Sequence, residues 1–388
     1  MKNLKKFDLN NINKSNWKSF PFEKIAFRIA ETVDPNTTEL NIYYGLEHLD
    51  AESLHIRRNG VPGDVSGGKL KCYPGDIIFG KRRAYQRKAG IVKEAGICSA
   101  HSFVFRANEE IIDARLFPFF LHSDQFMHKM IDISVGGLSP TINWSDLKHQ
   151  EFLLPPKEQQ AALADLLWAM DDVIEKEEMV INILETNYSS SIRSIFKNSK
   201  TSIKLKEIKF QSFKGLSGDE VERGNFYLIP SGAVFPRFLK VDKFKKVNIY
   251  NEKKYLKALE KGDILFNTGG VGTLGRSHYF NMNGINYICD SFVLVMRFND
   301  EKFINKFIYH TFQSNSILSQ IIQHTKGTTG ITSIGLEGIE NFKIPNIKIE
   351  EQKSIVEKLD LIEELIFMQN NRKEKSKFFL KSLINLVF

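Results

Sequence analysis

One ordered set of segments occurs twice in this chain, and no other feature restricts its fold as much. PGDIIFG (74–80) returns as KGDILFN (261–267), and SAHSFVFR (99–106) returns as CDSFVLVMR (289–297), setting Ser102-Phe103 against Ser291-Phe292. The series continues with ARLFPFFLHSDQF (114–126) and KFINKFIYHTFQSNS (302–316), then GGLSPTIN (136–143) and KGTTGITS (326–333). It closes with FLLPPKEQQ (152–160) and FKIPNIKIEEQK (342–353), which pairs Glu158-Gln159 with Glu351-Gln352. FEKIA (22–26) and LKEIK (205–209) open the two copies. A period of about 190 residues far exceeds the roughly 20–50 of a solenoid, so the chain contains two copies of one whole module.

Each copy has a globular part and a tail. In the globular part, DIIF and FVFR of the first copy, and DILF and FVLVM of the second, are β-branched or aromatic runs bounded by Gly, Pro or Asn and read as strands. ARLFPFFLHSDQF and its counterpart each read as one amphipathic helix with aromatic residues on the buried side. The tails are helical. Leu163, Leu167, Met170, Ile174, Ile181, Leu184, Tyr188 and Ile195 form one apolar seam. Ile355, Leu359, Ile362 and Ile366 form the other, which a polar interval at Gln369, Lys373 and Ser376 separates from Leu380, Leu383 and Val387. Pro155-Pro156 and Pro345 stand just before the helices, where proline is tolerated. Matching seams predict antiparallel pairing into a rod of about 60 Å, with a globular part at each end. An ordinary bundle core is the other reading of the same seams.

Composition narrows the function classes. Of 388 residues, 42% are hydrophobic and 26% charged, a balance that excludes wholesale disorder. Cys72, Cys98 and Cys289 form no CxxC pair, which excludes a structural zinc site or a disulfide framework and suits a reducing compartment. No run of eighteen apolar residues and no signal-peptide core is present, so a cytoplasmic location is expected. The formal charge of +8 favours a polyanionic partner without identifying one.

Several basic segments qualify as contacts to DNA. GKRRAYQRKAG (80–90) follows a repeated strand and sets Lys81, Arg82, Arg83, Arg87 and Lys88 around Tyr85 and Gln86. Arginine reads guanine bidentately, glutamine reads adenine, and lysine holds phosphate. The counterpart, NTGGVGTLGRSHYF (267–280), places Gly270, Gly272 and Gly275 at GxGxxG spacing after a strand. A dinucleotide fingerprint also needs a helix at the third glycine, and RSHYFNMNGINYI is polar and strand-like. These glycines instead let backbone approach a phosphate or groove edge, with Asn267, Thr268, Arg276, Ser277 and His278 supplying polar groups. Arg57, Arg58 and Asn59, and in the second copy Arg237, Lys240, Lys243, Lys245 and Lys246, are positioned to hold phosphates. Ser139-Pro140-Thr141 and Thr328-Thr329-Gly330 read as turn-builders. A solvated basic hairpin accounts for the same charge runs.

Catalytic signatures are missing. The chain has no Asp/Asn-Pro-Pro-aromatic tetrapeptide, no Walker A motif and no HExxH, and the Pro-Gly-Asp at 74–76 lacks a following Glu-x-Lys. No pair of its nine histidines stands at metal spacing beside a third ligand, so each reads as a core or surface residue.

With YYGLEHLD (43–50), the two GDI-F strands and the Pro-then-Glu-Gln entries to the helices, the whole chain resembles a specificity (S) subunit of a type I restriction-modification system. YLIPSGAV (227–234) stands in place of YYGLEHLD in the second copy. The resemblance implies an α/β (α+β) protein in which two similar target-recognition domains, 1–155 and 200–348, alternate with helical spacers, 156–199 and 349–388. It implies a non-catalytic reader of a bipartite, asymmetric site in double-stranded DNA. Two modification subunits would bring S-adenosylmethionine, and restriction subunits ATP and Mg, while this chain would hold no cofactor or metal and bind no membrane. Two other classes remain open at this point: a stand-alone DNA-acting enzyme such as a nuclease, and a coiled-coil adaptor without DNA affinity. Turnover by the purified chain with metal would reveal the first, and a gel shift at several salt concentrations separates the second.

Overall fold

The computed structural model describes residues 14–250, 255–282, 286–325 and 332–388. It forms two compact units, Met1–Glu177 with Arg372–Phe388, and Glu178–Asn371.

The repeated strands build the same sheet in each unit. In the first, Ala26–Ile29, Ser102–Ala107, Ile77–Gly80 and Ala89–Ile91 lie side by side, all antiparallel. In the second, Phe210–Lys214, Val293–Phe298, Ile264–Asn267 and Ser277–Tyr279 take the same order and directions. The central strands carry runs of consecutive buried apolar residues, Ile77-Ile78-Phe79 and Phe103-Val104-Phe105 in the first unit and Ile264-Leu265-Phe266 and Val293-Leu294-Val295-Met296 in the second, because both their faces are covered. Side chains alternate across a strand. Ile77, Phe79, Phe103 and Phe105 therefore face a helical layer with Phe120 and Phe126, while Ile78 and Val104 face Tyr44, Cys72 and Cys98. In the second unit Ile264 and Phe266 face Phe307 and Phe312, and Leu265, with Val293 and Val295 beside it, faces Ile229, Val234 and Cys289.

Hydrogen-bond partners correct the sequence alignment at three places. Lys81 N–H donates to His101 O and Thr268 N–H to Phe292 O, so Ser102 corresponds to Val293 and not to Ser291. Ile142 N–H donates to Lys81 O and Ile334 N–H to Thr268 O, which moves the match of the following loop by two residues. At the helix entry the counterpart of Gln352 is Gln160 and not Gln159. Gln160 accepts from Asp113 N–H (2.6 Å) and donates to Ile111 O and Pro155 O, both at 2.9 Å. Gln352 accepts from Ile304 N–H (2.9 Å) and donates to Lys302 O (2.8 Å) and Ile347 O (2.9 Å).

A second correction concerns the aromatic helices, each of which is two. Phe117–His122 and Asp124–Asp132 are separated by Ser123, whose extended backbone (φ −66°, ψ 151°) and Oγ, accepting from Phe126 N–H, make it a helix cap. Ser314 does the same between Asn305–Phe312 and Asn315–His324.

The tails are the long helices Lys157–Asn198 and Ile349–Val387. In the first unit the start of one meets the end of the other, Leu163, Ala164 and Leu167 sharing a core with Leu383, Ile384, Val387 and Phe388. In the second unit, Tyr188 and Ile192 share one with Leu359 and Ile366. Residue numbers rise along one helix as they fall along the other, so each pairing is antiparallel, as the seams predict. The polar interval has a partner too: buried Glu177 accepts from Arg372 Nε (2.9 Å) and Ser376 Oγ (3.2 Å). Each module also closes at its base, where Lys18–Pro21 pairs with Glu151–Leu154, and Ser202–Lys204 with Lys343–Pro345.

Candidate nucleic-acid interface

In the first unit the basic loop joins strands Ile77–Gly80 and Ala89–Ile91 as a tight, internally wound turn. Ala84 is buried beneath it, and Arg83 and Arg87 flank a short 3-10 turn at φ +56° and +50°. Non-glycine residues enter that left-handed region only where neighbours hold them. Here the hold on Arg83 is visible: its N–H donates to Pro140 O (2.7 Å), and Nε and Nη2 reach Ser139 Oγ at 3.2 and 3.0 Å. The loop therefore projects Arg82, Arg83 and a 54% exposed Tyr85 from a braced base. Lys81 lies with its ammonium 5.1 Å from the Phe103 ring centroid, and burial, then the charge of Arg28, lowers its pKa. Arg28 itself covers Phe103 and Trp144, at 5.6 and 5.8 Å. It is exposed and joins the same cationic face, although an isolated arginine in a short strand gives no sequence signal.

The remaining candidates of the first unit are employed within the fold. Arg87 is paired with Asp124 and, at 3.5 Å, with Glu52; Lys88 Nζ donates to Leu46 O at 2.7 Å. Gln86 is half-buried in the turn, its N–H bonded to Arg83 O. Arg57 pairs with Glu175 of the first long helix, beside His55, whose Nε2 lies 2.8 Å from Asp171 Oδ2. Arg57 is exposed and Glu175 half-buried, so this is a surface pair that a phosphate can displace. Arg58 is exposed and pairs only with exposed Asp50, a surface pair that a phosphate can displace at little cost.

The second unit corrects the sequence reading further. Asn267 and Ser277 are buried, Asn267 Nδ2 donating to Ser231 O (2.9 Å) and Ser277 Oγ accepting from Gln313 Nε2 (2.8 Å). Thr268 Oγ1 donates to Phe292 O at 2.9 Å. His278 donates from Nδ1 to Phe235 O (3.0 Å), and burial pushes its pKa down to about 4, leaving the ring neutral at pH 7. These four build the turn, and of their polar atoms Asn267 Oδ1 is buried without a hydrogen-bond partner among the described residues. Gly270, Gly272 and Gly275 all have positive φ (+102°, +71°, +81°), and a strand, Ser277–Tyr279, follows them where a dinucleotide site would need a helix.

Arg237 also turns inward. It pairs with Glu185 at 2.5 Å, approaches Glu363 at 3.6 Å and covers the Tyr188 ring at 4.6 Å. The outward group is built on the neighbouring phenylalanines. Phe235 and Phe238 stack with centroids 4.8 Å apart, Arg276 and Lys240 lie 4.5 and 4.9 Å from the Phe235 centroid, and Phe238 is 47% exposed. The pattern VFPRFLK (234–240), aromatic residues among cations, carries the same signal as Tyr85 in its arginine loop. Lys243, Lys245 and Lys246 are exposed, Lys245 within 3.3 Å of Glu220. Thr328-Thr329-Gly330 lies outside the described residues.

Acidic groups in both units are structural. Asp76 is buried and accepts from Arg106 Nε (2.7 Å) and Nη2 (3.0 Å), while Asp263 meets Arg297 in the same way, both contacts at 2.8 Å. This repeated pair gives the Pro-Gly-Asp turn its role. His310, Asp360 and Glu363 converge within coordination distance of one another. Cations and hydroxyls already fill that space. Lys306 and His310 reach Asp360 at 2.7 and 2.9 Å, and Tyr188 and Tyr309 reach Glu363 at 2.9 and 3.0 Å. Burial, then the charges of Tyr309 and Glu363, raises the Tyr188 pKa and keeps the hydroxyl protonated. The cluster ties the second module to both long helices.

Comparison with known proteins agrees with this geometry. The family described as "Type I restriction modification DNA specificity domain" matches residues 55–186 and 219–376. The chain is 26% identical over 379 residues to the putative type I restriction enzyme MjaX specificity subunit of Methanocaldococcus jannaschii, covering 88% of this chain and 85% of that one. It is 26% identical over 170 residues to the type I restriction enzyme EcoDI specificity subunit of Escherichia coli, covering 42% and 37%. In fold it is similar to the S subunit of a type I restriction-modification system from M. genitalium (TM-score 0.59, 14% identity, 97% and 98% covered). It is also similar to a chain from a study of assembly and conformational transition of the type I R-M system (TM-score 0.56, 17% identity, 96% and 97% covered).

Proposed function

We propose a function from the premise that this chain belongs to the Type I restriction modification DNA specificity domain family. It is the specificity subunit of a type I restriction-modification system and reads double-stranded DNA at a split, asymmetric site, one half per module. The observation that carries this reading is a scaffold used twice beneath two different surfaces. The corresponding loop of the same four-stranded sheet presents Arg82, Arg83 and Tyr85 in one unit and Arg276 in the other, where Phe238 and Lys240 of the 234–240 segment stand beside it. Guanidinium groups supply bidentate base readout, and the surrounding cations, Arg28, Lys81 and Arg58 in the first module and Lys243, Lys245 and Lys246 in the second, supply the phosphate contacts.

The chain works in the cytoplasm and does no chemistry itself. Modification subunits carrying S-adenosylmethionine methylate the addressed DNA, restriction subunits use ATP and Mg, and the paired helices are the docking element. Functionally, residues 1–155 and 200–348 are the recognition domains, and 156–199 and 349–388 the spacers. Replacing 200–348 with the matching segment of another family member tests this. Methylome sequencing of a host carrying the complete system is expected to show one half-site changed and the other kept. A change in both halves, or in neither, overturns the modular reading.

A further inference from the structure

The most exposed large apolar side chain among those described is Leu138, at 97%. A single exposed leucine is ordinary on a protein surface and by itself means little. The setting of this one is not ordinary. It stands at the tip of a narrow hairpin, GGLSP (136–140), closed by reciprocal bonds between Val135 and Thr141 (N–H to O, 3.0 and 2.9 Å). Gly136, at φ +111°, makes the sharp reversal, and Thr141 Oγ1 donates to Ser139 O at 3.2 Å.

Behind the tip the hairpin is fastened to the arginine loop. Arg83 bonds to Pro140 O and Ser139 Oγ, Arg82 bridges to Thr141, and Ile142 N–H donates to Lys81 O before its side chain enters the core. The tip is thus a thin apolar point, with small neighbours, braced against the cationic arginine loop. An isobutyl group makes no hydrogen bond to a base edge. What such a point does in a DNA groove is enter a base step and unstack it while cations hold the flanking phosphates.

We propose that Leu138 is a specificity-determining wedge that inserts at one base step of the half-site read by the first module. This rests on the DNA-reading function proposed above. Aligned through Ile142 and Ile334, the residue matching Leu138 is Gly330, which has no side chain to insert. Because a wedge favours steps that unstack easily, it contributes sequence preference at a position that forms no hydrogen bond.

The test uses the full-length chain, a duplex selected by it from a randomised pool, and 2-aminopurine placed in turn at each step of that duplex. The expected result is a fluorescence rise at one step of a single half-site, abolished by Leu138→Ala. That variant should bind about tenfold more weakly with an unchanged salt slope, because no phosphate contact is lost. Leu138→Phe, still apolar, should keep the rise. Unchanged affinity and selectivity in Leu138→Ala overturns the proposal, as does a fall in affinity with no fluorescent step in the unaltered protein, which assigns Leu138 to a methyl contact. If the unaltered chain selects no sequence at all, the DNA-reading function itself falls, an outcome distinct from either.

Discussion

The two modules share their closing parts and differ in their presenting parts. Asp76–Arg106 and Asp263–Arg297, Gln160 and Gln352, and Ser123 and Ser314 occupy equivalent places and make equivalent bonds. The smaller sheets diverge. Tyr43–Tyr44 runs parallel to Gly96–Cys98, and Phe226–Ile229 runs parallel to Tyr287–Cys289, but the added antiparallel strand pairs with Gly96–Cys98 in the first unit and with Phe226–Ile229 in the second. Attachment to the helices differs as well: His55 and Arg57 in one, Arg237, Lys306 and His310 in the other. A module of this kind conserves what closes it and varies what it shows.

Five substitutions sharpen or break this comparison. Phe120→Ala removes a ring packed against Phe117, Phe126, Phe152 and Phe388, and should cost about 3–5 kcal/mol in urea unfolding. Phe312→Ala, whose ring meets Phe266 and Phe342, is the matched experiment, and a larger loss there would reverse the ranking of the two cores.

Acid should act on the second module through His278. Its folded pKa, about 4, lies below the ordinary value of 6.5, so the unfolded chain takes up the proton first. The stability it confers is complete above pH 6.5 and is lost as pH falls toward 4, at most about 3 kcal/mol. His278→Gln should flatten the pH profile in that window. His122, buried and bonded to Ala89 O, has its pKa lowered by burial and gives the first module the same direction of change. A profile untouched by His278→Gln would show that folding does not lower the pKa of this histidine.

Gln160→Ala and Gln352→Ala strand equivalent backbone groups and should each cost about 1–3 kcal/mol. Calorimetry that finds one of them silent would end their equivalence.

Much of this was legible in the chain. The repeat gave the doubled sheet, because strands covered on both faces carry consecutive apolar residues such as Ile77-Ile78-Phe79 and Ile264-Leu265-Phe266, and the seams gave the antiparallel helices. The serine caps were missed, each aromatic segment reading as one helix, although Ser123 and Ser314 are of a residue type that accepts from the following turn. The candidate interface was less legible. Charge in a sequence does not state its direction: Arg82 and Arg87 are five residues apart in one loop, yet one faces solvent and the other an aspartate. Arg237 was lost to a glutamate 52 positions away, a partner that only the folded chain brings near. The alignment slips arose where identical letters, Ser291 and Gln159, stood beside the structurally equivalent positions.

The strand pairs at the module bases have one more consequence. Since Lys18–Pro21 touches Glu151–Leu154 and Ser202–Lys204 touches Lys343–Pro345, each globular insert leaves the backbone through the same doorway by which it entered. Loops hung beyond that doorway and clear of the long helices are free to lengthen, shrink or be rebuilt without moving the hinge posts. Selection can therefore rewrite an address while the frame that carries it stays untouched.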